Sequence, residues 1–562
     1  MGITLSGISL AGINSGIDSD LIVQQMMAAA SRPLYRLHAR KAEWNAKNTA
    51  LEQIESLLNS LKSHAASMDT IAELRKTTAK SSDTDIVTAT ASSTAIEGSH
   101  TVTVNQLARA EREVQTTGVA TLETVIYIES DDTFTYTYNG TQRSVTIQEE
   151  HTLEDLVETI NSDDSNAGIT ASILQYDGAY RLVLAGNDTG EAATITVDTS
   201  PTSIGGFTET QAAQSAEIKV DGFPPGAEDW IERDSNSITD VLPGVTLNLQ
   251  SVSASPVTIT LSRKTSDLTS DLTNFVAIYN SFADKIKNLT KYDAETQTGA
   301  ILQGDSIING MLSEVRLEVI SQALGFADGE DPFILAGELG IELDDEGVMT
   351  LDESVLASAL SDDYIGVLSL VGADKTGASA SQYVDFLGAG DNTEAGEYTV
   401  EASFNDTTGE LLGFRVKAPG SDTWNPDVAI AGNTVTGKYG FPEEGMVLEA
   451  TWDGQAGVDG VRTQTTTVRV RQGFVGRVMD SLESILNSET GLLATKKAHA
   501  SSQISTLDRN IEIQEARLER KEAQLKSQYA RLEATLARLD SQKGAFEALI
   551  MQLDAMQKAS NE

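Results

Sequence analysis

At residues 504–553 the chain reads ISTLDRNIEIQEARLERKEAQLKSQYARLEATLARLDSQKGAFEALIMQL. Apolar side chains recur here at strict intervals of seven residues, at Ile504, Ile511, Leu518, Leu525, Leu532, Leu539, Phe546 and Leu553. A strict seven-residue repeat predicts a helix that packs in a left-handed coiled coil or a helix bundle. The second position of the repeat is often polar, as at Gln514, Lys521 and Gln528. We therefore expect this helix to fold fully only against a partner.

The N-terminal region carries a second apolar stripe. Asp18 or Asp20 can cap a first helix, and Pro33 predicts a joint between that helix and the next. Beyond the joint, apolar residues recur at spacings built from threes and fours, beginning with Leu34, Leu37, Trp44 and Leu51. We call these four residues and the eight of the C-terminal repeat the seam. The sequence leaves two interpretations open: a leg that becomes ordered on assembly, behind a Gly- and Ser-rich lead from Gly12, or a permanently folded bundle end.

The composition excludes several classes of protein. The 562 residues exceed a single core, which predicts about three to five domains. A net charge of -43 argues against nucleic acid as a partner, and the sequence has no apolar run long enough for membrane insertion. The absence of cysteine excludes disulfides, Cys-ligated zinc and a thiol nucleophile.

The charge is distributed unevenly along the chain. Residues 1–80 carry a balance of +2 and residues 501–562 a balance of -1, so residues 81–500 carry -44. Near-neutral ends suit packing against other chains, whereas an acidic middle suits exposure to solvent.

The sequence between the two ends predicts β-rich segments and further helices. Thr, Val and Ser alternate from about Lys80, and Asn139-Gly140 predicts a type I′ hairpin turn. Thr152 and Asp155 form a capping box before a short helix. Helical periodicity returns from Ser266, and Asp305 caps the next helix. We expect Asp352 to cap one further helix that runs towards Leu370.

These patterns predict an α+β multidomain fold. Terminal and central helices form a helical bundle or coiled-coil leg, and antiparallel β-rich domains are inserted between them. The expected domains are an N-terminal leg and bundle at 1–80, a β domain at 81–115 plus 213–263, an inserted β domain at 116–212, a helical bundle segment at 264–372, an additional β insertion at 373–470, and a C-terminal bundle and coiled-coil helix at 471–562.

Nothing in the sequence predicts an enzyme, a bound metal or a cofactor. The helical histidines His38, His64 and His499 have no second histidine three or four residues away, so no zinc motif forms. The segment ELDDEGVMTLDE, from Glu342 to Glu353, has some of the carboxylate spacing of an EF-hand loop. Its first position is Glu, and the preceding LAGELGI is a poor helix, so we interpret it as a hairpin that turns at Gly347.

Several motifs together resemble a known family. They are GINSGIDSDLIVQQMM with RPLYRL near the N-terminus, TLEDLVETINSDDSNAGITASILQYDGAYRLVLAG with Ile160-Asn161 at its centre, AEIKVDGF with DSNSITDVLPGVTLNLQ, NFVAIYNSF, and the closing heptads. In this order they resemble the flagellar filament cap family, hook-associated protein 2 (FliD). The second motif resembles the IN motif of flagellins and hook-associated proteins. Residues 373–470 have no counterpart in that resemblance.

The resemblance implies a structural cap at the distal tip of the bacterial flagellar filament. Such a protein is exported unfolded through the flagellar type III channel and works extracellularly. It prevents flagellin leakage and promotes the folding and insertion of flagellin. The implied partners are flagellin, further copies of the chain in a ring of about four to six subunits, the hook-filament junction protein, and a cytoplasmic export chaperone bound through the C-terminal helix.

Two other functions stay open at this point. The chain could act as a surface adhesin through its β-rich insertions, alone or in addition to capping, with Trp424, Tyr439 and Trp452 as the residues to inspect. It could also be a hook-associated protein of another type. The seam itself could serve the chain's own bundle, a neighbouring subunit or flagellin.

Overall fold

A computed structural model of the chain describes residues 18–126, 133–425, 428–454 and 460–559. The predicted lead at Gly12 lies outside the described residues. The fold is α+β and multidomain, as the sequence predicts. The α-helices are α1 (Ser19–Ala30), α2 (Arg32–Ala65), α3 (Ile71–Leu74), α4 (Leu153–Asn161), α5 (Thr265–Thr290), α6 (Ser306–Ile320), α7 (Glu353–Asp362), α8 (Tyr364–Gly372), α9 (Phe474–Leu486) and α10 (Leu492–Ala559).

The chain forms two compact units. One combines the chain up to Asp69 with the chain from Leu272 onward, and the other is Thr70–Asp271. The finer six-part division given above stays a prediction.

The unit Thr70–Asp271 is built from antiparallel strands. They are β1 (Thr77–Ser81), β2 (Val87–Ala91), β3 (Gly98–Gln106), β4 (Arg112–Gln115), β5 (Thr133–Tyr138), β6 (Thr141–Thr146), β7 (Ile169–Tyr176), β8 (Ala179–Gly186), β9 (Ile195–Thr199), β10 (Phe207–Gln211), β11 (Ala216–Val220), β12 (Ile231–Arg233), β13 (Ser237–Ile238), β14 (Val245–Leu249) and β15 (Ser253–Arg263). The sheets β1-β15-β3-β11-β12 and β13-β14-β2 enclose one core. The sheets β10-β4-β8-β7 and β6-β5-β9, with α4, enclose a second core.

Strand pairing shifts one expected boundary. β4 pairs with β8 and β10, so it belongs to the inserted sheet, although we placed residues up to 115 in the preceding domain. The error has a physical cause: alternation of polar and apolar residues marks a strand but does not say which strand it will pair with.

The IN motif has a local structural explanation. Ile160 is fully buried, and the Asn161 side chain pairs with the backbone of Ala171 on β7. Its Nδ2 donates to the carbonyl oxygen of Ala171 and its Oδ1 accepts from the amide of Ala171, each at 2.8 Å. The side chain thus acts as an additional strand residue that fixes α4 to the sheet.

In the unit containing Leu272–Glu562, the remaining strands form two short hairpins and a β domain. They are β16 (Tyr292–Asp293), β17 (Thr298–Gly299), β18 (Ile341–Leu343), β19 (Met349–Leu351), β20 (Thr376–Ser379), β21 (Val384–Gly388), β22 (Gly396–Asn405), β23 (Leu411–Lys417), β24 (Ala429–Ala431), β25 (Thr434–Thr436), β26 (Val447–Ala450) and β27 (Val461–Arg471). The sheets β20-β27-β22-β23 and β21-β26-β25-β24 share one core. β18 and β19 form the hairpin expected at Gly347, where φ is +78°.

Ion pairs connect the last strand of this β domain, β27, to the loop that follows α6. The Asp331 carboxylate, which is 5% exposed, lies 2.5 Å from both Arg469 and Arg471 of β27. It also accepts the amide of Ala327 at 2.8 Å, and Arg469 makes a second ion pair with Glu330. Ion pairs this deeply buried are costly to break singly, because the remaining charge has no water around it.

The prediction of one helix from Asp352 towards Leu370 is wrong. The chain forms α7 and α8, which are bent by 117° at Asp363. The Asp363 side chain accepts the amide of Gly366 and so caps a new helix, which an apolar period cannot reveal. Within the described residues no single helix has the length and apolar content of a membrane span, and only this bent pair reaches them when both helices are counted together.

Candidate functional site

The two ends of the chain form an antiparallel helical pair, in which α1 and α2 lie along α10. Trp44 on α2 contacts His499 edge-on, with ring centroids 5.4 Å apart. Further along, Lys41 forms an ion pair with Asp508. His38 Nε2 lies 3.8 Å from Glu515 Oε1. Across these three contacts the residue numbers fall along α2 as they rise along α10, so the two helices run antiparallel.

The short helix α1 continues this pairing. Asp18 caps it by accepting the amide of Leu21, which confirms one of the two predicted caps, and α2 begins at Arg32 beside the predicted joint. Tyr529 lies 3.9 Å from the sulfur of Met26, and the hydroxyl of Ser19 donates to Glu533 at 2.5 Å. The described part of the pairing therefore begins where Ser19 meets Glu533.

The base of α10 is held by ion pairs. Lys497 pairs with Glu55 of α2 at 2.5 Å. Lys496 lies 2.8 Å from the Asp305 carboxylate that caps α6. These contacts fix the direction in which α10 leaves the helical body.

The structure divides the seam into a covered and an uncovered part. Leu51, Ile511 and Leu525 are buried. The partly buried seam residues are Leu34, Leu37, Trp44, Ile504 and Leu518. The exposed ones are Leu532, Leu539, Phe546 and Leu553, with 45%, 55%, 70% and 56% of their surfaces accessible.

The division has a geometric cause. Beyond Leu525 the partly buried positions of α10 are Tyr529, Glu533, Leu536 and Ala537, which are spaced by four, three and one residues rather than seven. An α-helix without strong supercoiling drifts by about 20° per heptad, so a strict seven-residue line leaves the contact face. Leu532 therefore turns away from α1 although it belongs to the repeat.

The uncovered surface is wider than the repeat predicts. Outside the seven-residue line it also includes Leu549, Ile550 and Met556, all more than half exposed. We define these three and the four exposed seam residues as the distal face. Leu549 and Met556 stand at the second heptad position, but Ile550 was missed, because a strict period of seven ignores neighbours at other offsets. Met551 is 71% exposed, but with a turn of about 100° per residue it lies on another side of the helix.

The described residues show no arrangement suited to catalysis. No group of three His, Asp or Glu residues among them is placed to hold a metal ion. The Glu342–Glu353 carboxylates lie in the β18–β19 hairpin and the start of α7, so the EF-hand interpretation is not supported.

Comparison with known proteins places these features in a family. The family described as Flagellar hook-associated protein 2 C-terminus matches residues 213–541, and the one described as Flagellar hook-associated protein 2 N-terminus matches residues 15–111. The Flagellin hook IN motif matches residues 133–188. The chain belongs to the flagellar hook-associated protein 2 family. This family is structural and is not a family of enzymes.

Individual hook-associated protein 2 relatives are similar over most of their length. The B-type flagellar hook-associated protein 2 of Pseudomonas aeruginosa is 26% identical over 422 residues, which cover 68% of this chain and 85% of the relative. The flagellar hook-associated protein 2 of Escherichia coli K12 is 28% identical over 405 residues, 67% of this chain and 83% of the relative. A crystal structure of the D1-D2-D3 domains of the flagellar cap protein FliD from Escherichia coli covers 57% of this chain and 90% of its own, at 27% identity and a TM-score of 0.49.

Proposed function

We propose that this chain is the structural cap at the distal tip of the bacterial flagellar filament, where it prevents flagellin leakage and promotes the folding and insertion of flagellin. The observation that carries the proposal is the distal face. From Leu532 to Leu553 it runs for roughly 32 Å along α10, at 1.5 Å per residue. Exposed apolar side chains that recur along one side of a helix suit a protein-interaction site.

The charge distribution supports this role for the ends. The C-terminal residues 501–562 are nearly neutral in a chain with a net charge of -43. A neutral apolar helix face can pack on filament subunits without the repulsion that the acidic middle would cause. The leg formed by α1, α2 and α10 is then the part that docks on flagellin, and the acidic β-rich units remain in solvent.

The proposal includes a set of partners and a location. The chain forms a homo-oligomeric ring of about four to six subunits, contacts flagellin and first assembles at the hook-filament junction protein. It is secreted through the type III export channel, for which a cysteine-free chain is suited because it needs no oxidation after threading. Before export, the C-terminal helix binds a cytoplasmic chaperone through the apolar stripe from Ile504 to Leu553.

The experiment measures monomeric flagellin in the medium of a strain that lacks this gene. We expect abundant unpolymerised flagellin and short or missing filaments, and rescue by the wild-type gene. The double variant Phe546→Ser/Leu553→Ser should fail to rescue. Ile513→Ser is the matched control, because Ile513 is 62% exposed on the same helix but outside the distal face. Clean medium in the deletion strain, or full rescue by the double variant, would contradict the proposal.

A specific observation favours adhesion as a second function. In the β domain at 376–471 the Trp424 ring lies 4.4 Å from the Arg415 guanidinium and 4.8 Å from Lys417 Nζ. It lines a cleft of about 650 Å³ that also includes Phe441 and Pro419. An aromatic ring that lines a cleft suits packing against a sugar ring of a glycan such as mucin.

The other two aromatic residues named from the sequence differ from Trp424. Tyr439 is 85% exposed, whereas Trp452 packs on Tyr383 and Arg462 at the edge of the domain core. A deletion of 373–470 that keeps motility but loses mucin binding would support adhesion. Unchanged binding in that deletion would exclude this domain as the adhesive part.

A further inference from the structure

The inserted sheet β10-β4-β8-β7 has one buried and one open face. Leu182 and Leu184 on β8 point into the core. On the opposite face Val114 and Val183 stand side by side, and Leu174 is paired with Arg181. Leu174 and Tyr176 remain 48% and 67% exposed, which is unusual for the middle and end of a strand in a covered sheet.

The open face differs in charge from the rest of the chain. It lines a shallow cleft of about 570 Å³. Among the described residues that line the cleft, Arg112 and Arg181 are charged and none is acidic. Arg181 is held in place because its guanidinium donates to the carbonyl oxygens of Gln115 and Thr116. The face is therefore basic and apolar in a chain that carries -43 overall.

The same unit carries a loop with the opposite character, between β11 and β12. In this loop, residues 221–230, Phe223 is 65% exposed and the neighbouring Glu228 and Asp229 are exposed acids. The loop contains no Lys or Arg. Its shape is fixed, because Lys219 contacts the Trp230 ring at 4.5 Å and donates to the carbonyl oxygen of Gly226. Asp221 accepts the amide of Thr101 at 2.8 Å.

We propose that the 221–230 loop of one copy docks on the open face of β10-β4-β8-β7 in a second copy of this chain. Phe223 then packs on Val114, Leu174 and Tyr176. Glu228 and Asp229 meet Arg112 and Arg181. When the loop and the open face of one copy bind two different neighbours, the contact is heterologous, and repeated copies close into a ring if the rotation between them allows closure. The inference rests on the proposed cap function and adds the contact that holds the ring together.

The absence of cysteine makes a direct test possible. The full chain carrying Leu174→Cys and Phe223→Cys is purified and mildly oxidised. We expect a ladder of covalent multimers that ends at one ring size. Each single variant should give no disulfide-linked multimers, because a heterologous contact brings two different positions together. The matched control pairs Leu174→Cys with Ile96→Cys, since Ile96 is 69% exposed in the same unit but lies outside the loop.

Charge exchange supplies the second arm of the test. In the cysteine pair, Arg112→Glu or Asp229→Arg alone should reduce the covalent product at least tenfold, and the two together should restore it. No ladder from Leu174→Cys/Phe223→Cys would overturn the inference. Dimers from Leu174→Cys alone would overturn it in favour of a symmetric contact. A third outcome would overturn the inference in favour of flagellin as the partner of the open face. In that case the Leu174→Cys/Phe223→Cys chain gives no ladder, and the Arg112→Glu variant no longer binds filament ends.

The two proposals can fail separately. Leakage of flagellin from the deletion strain together with no ladder would reject this contact and leave the cap function standing. A ladder together with clean medium would establish the contact and reject the cap function.

Discussion

Leu525 and Leu553 occupy the same heptad position of α10, yet Leu525 is 8% exposed and Leu553 is 56% exposed. Replacing either with alanine changes the intrinsic helix propensity equally, because the residue types and the helix are the same. The difference between Leu525→Ala and Leu553→Ala therefore reports packing. For Leu525→Ala we expect a loss of about 2–3 kcal/mol in the free energy of separating α10 from α1 and α2. This value is at the lower end of the range for buried leucines, because a leucine in a helical pair has fewer neighbours than one in a domain core. For Leu553 we expect less than about 0.5 kcal/mol.

Amide hydrogen exchange in the full-length protein measures this difference. A loss of about 2 kcal/mol accelerates exchange of the protected amides around Leu525 roughly thirtyfold, since opening of the leg is a local unfolding event. Leu553→Ala should leave those rates unchanged. In cells we expect a functional defect from the variant that leaves stability unchanged. Leu553→Ala, on the distal face, should allow flagellin to leak although the isolated protein is as stable as the wild type. Equal acceleration in both variants would refute the division of the seam into a covered and an uncovered part.

Three further predictions concern the two units. Asp331→Asn should cost about 3 kcal/mol in the stability of the β domain, because the buried Arg469 and the partly buried Arg471 lose their shared carboxylate. Glu330→Gln should cost under about 1 kcal/mol, and urea unfolding followed by tryptophan fluorescence compares the two variants. Asn161→Ala should destabilise the inserted domain by about 2 kcal/mol, measured by thermal unfolding, because a buried backbone amide and carbonyl lose their partners. Burial raises the pKa of the Glu113 carboxyl group. The protonated carboxyl group therefore stabilises the fold fully below the ordinary glutamate pKa of 4.5, and this stabilisation is lost as pH rises through the folded pKa. Glu113→Gln should flatten the decline in urea midpoint between pH 4.5 and pH 7, and an unchanged slope would contradict the raised pKa of Glu113.

Local features of the fold could be predicted from the sequence. The Asn139-Gly140 hairpin, the capping box of Thr152 and Asp155, and the N-caps Asp305 and Asp352 are all confirmed. Each depends on a few neighbouring residues whose hydrogen bonds close within one turn. For the same reason they do not depend on how the rest of the chain folds.

Features that depend on distant parts of the chain could not be predicted. The pairing of β4 with β8 and β10 joins segments far apart in sequence, and alternation alone carries no information about partners. The heptads of α10 mark an apolar line but not the point at which the covering helix ends. That point follows from where Ser19 meets Glu533, which is a property of the assembled pair. The sequence therefore predicts the seam as a set of residues, and the division of the seam follows only from the structure.

The β domain at 376–471 enters and leaves the helical body at a single point. Its first and last strands are hydrogen-bonded neighbours, with Thr376 directly opposite Arg471, so their Cα atoms are separated by about 5 Å. An evolving gene can therefore lengthen, shorten or exchange the segment between them while the helices on either side keep their places. The same junction is a graft site for engineering, because a foreign module whose two termini lie equally close fits there without displacing the helices on either side.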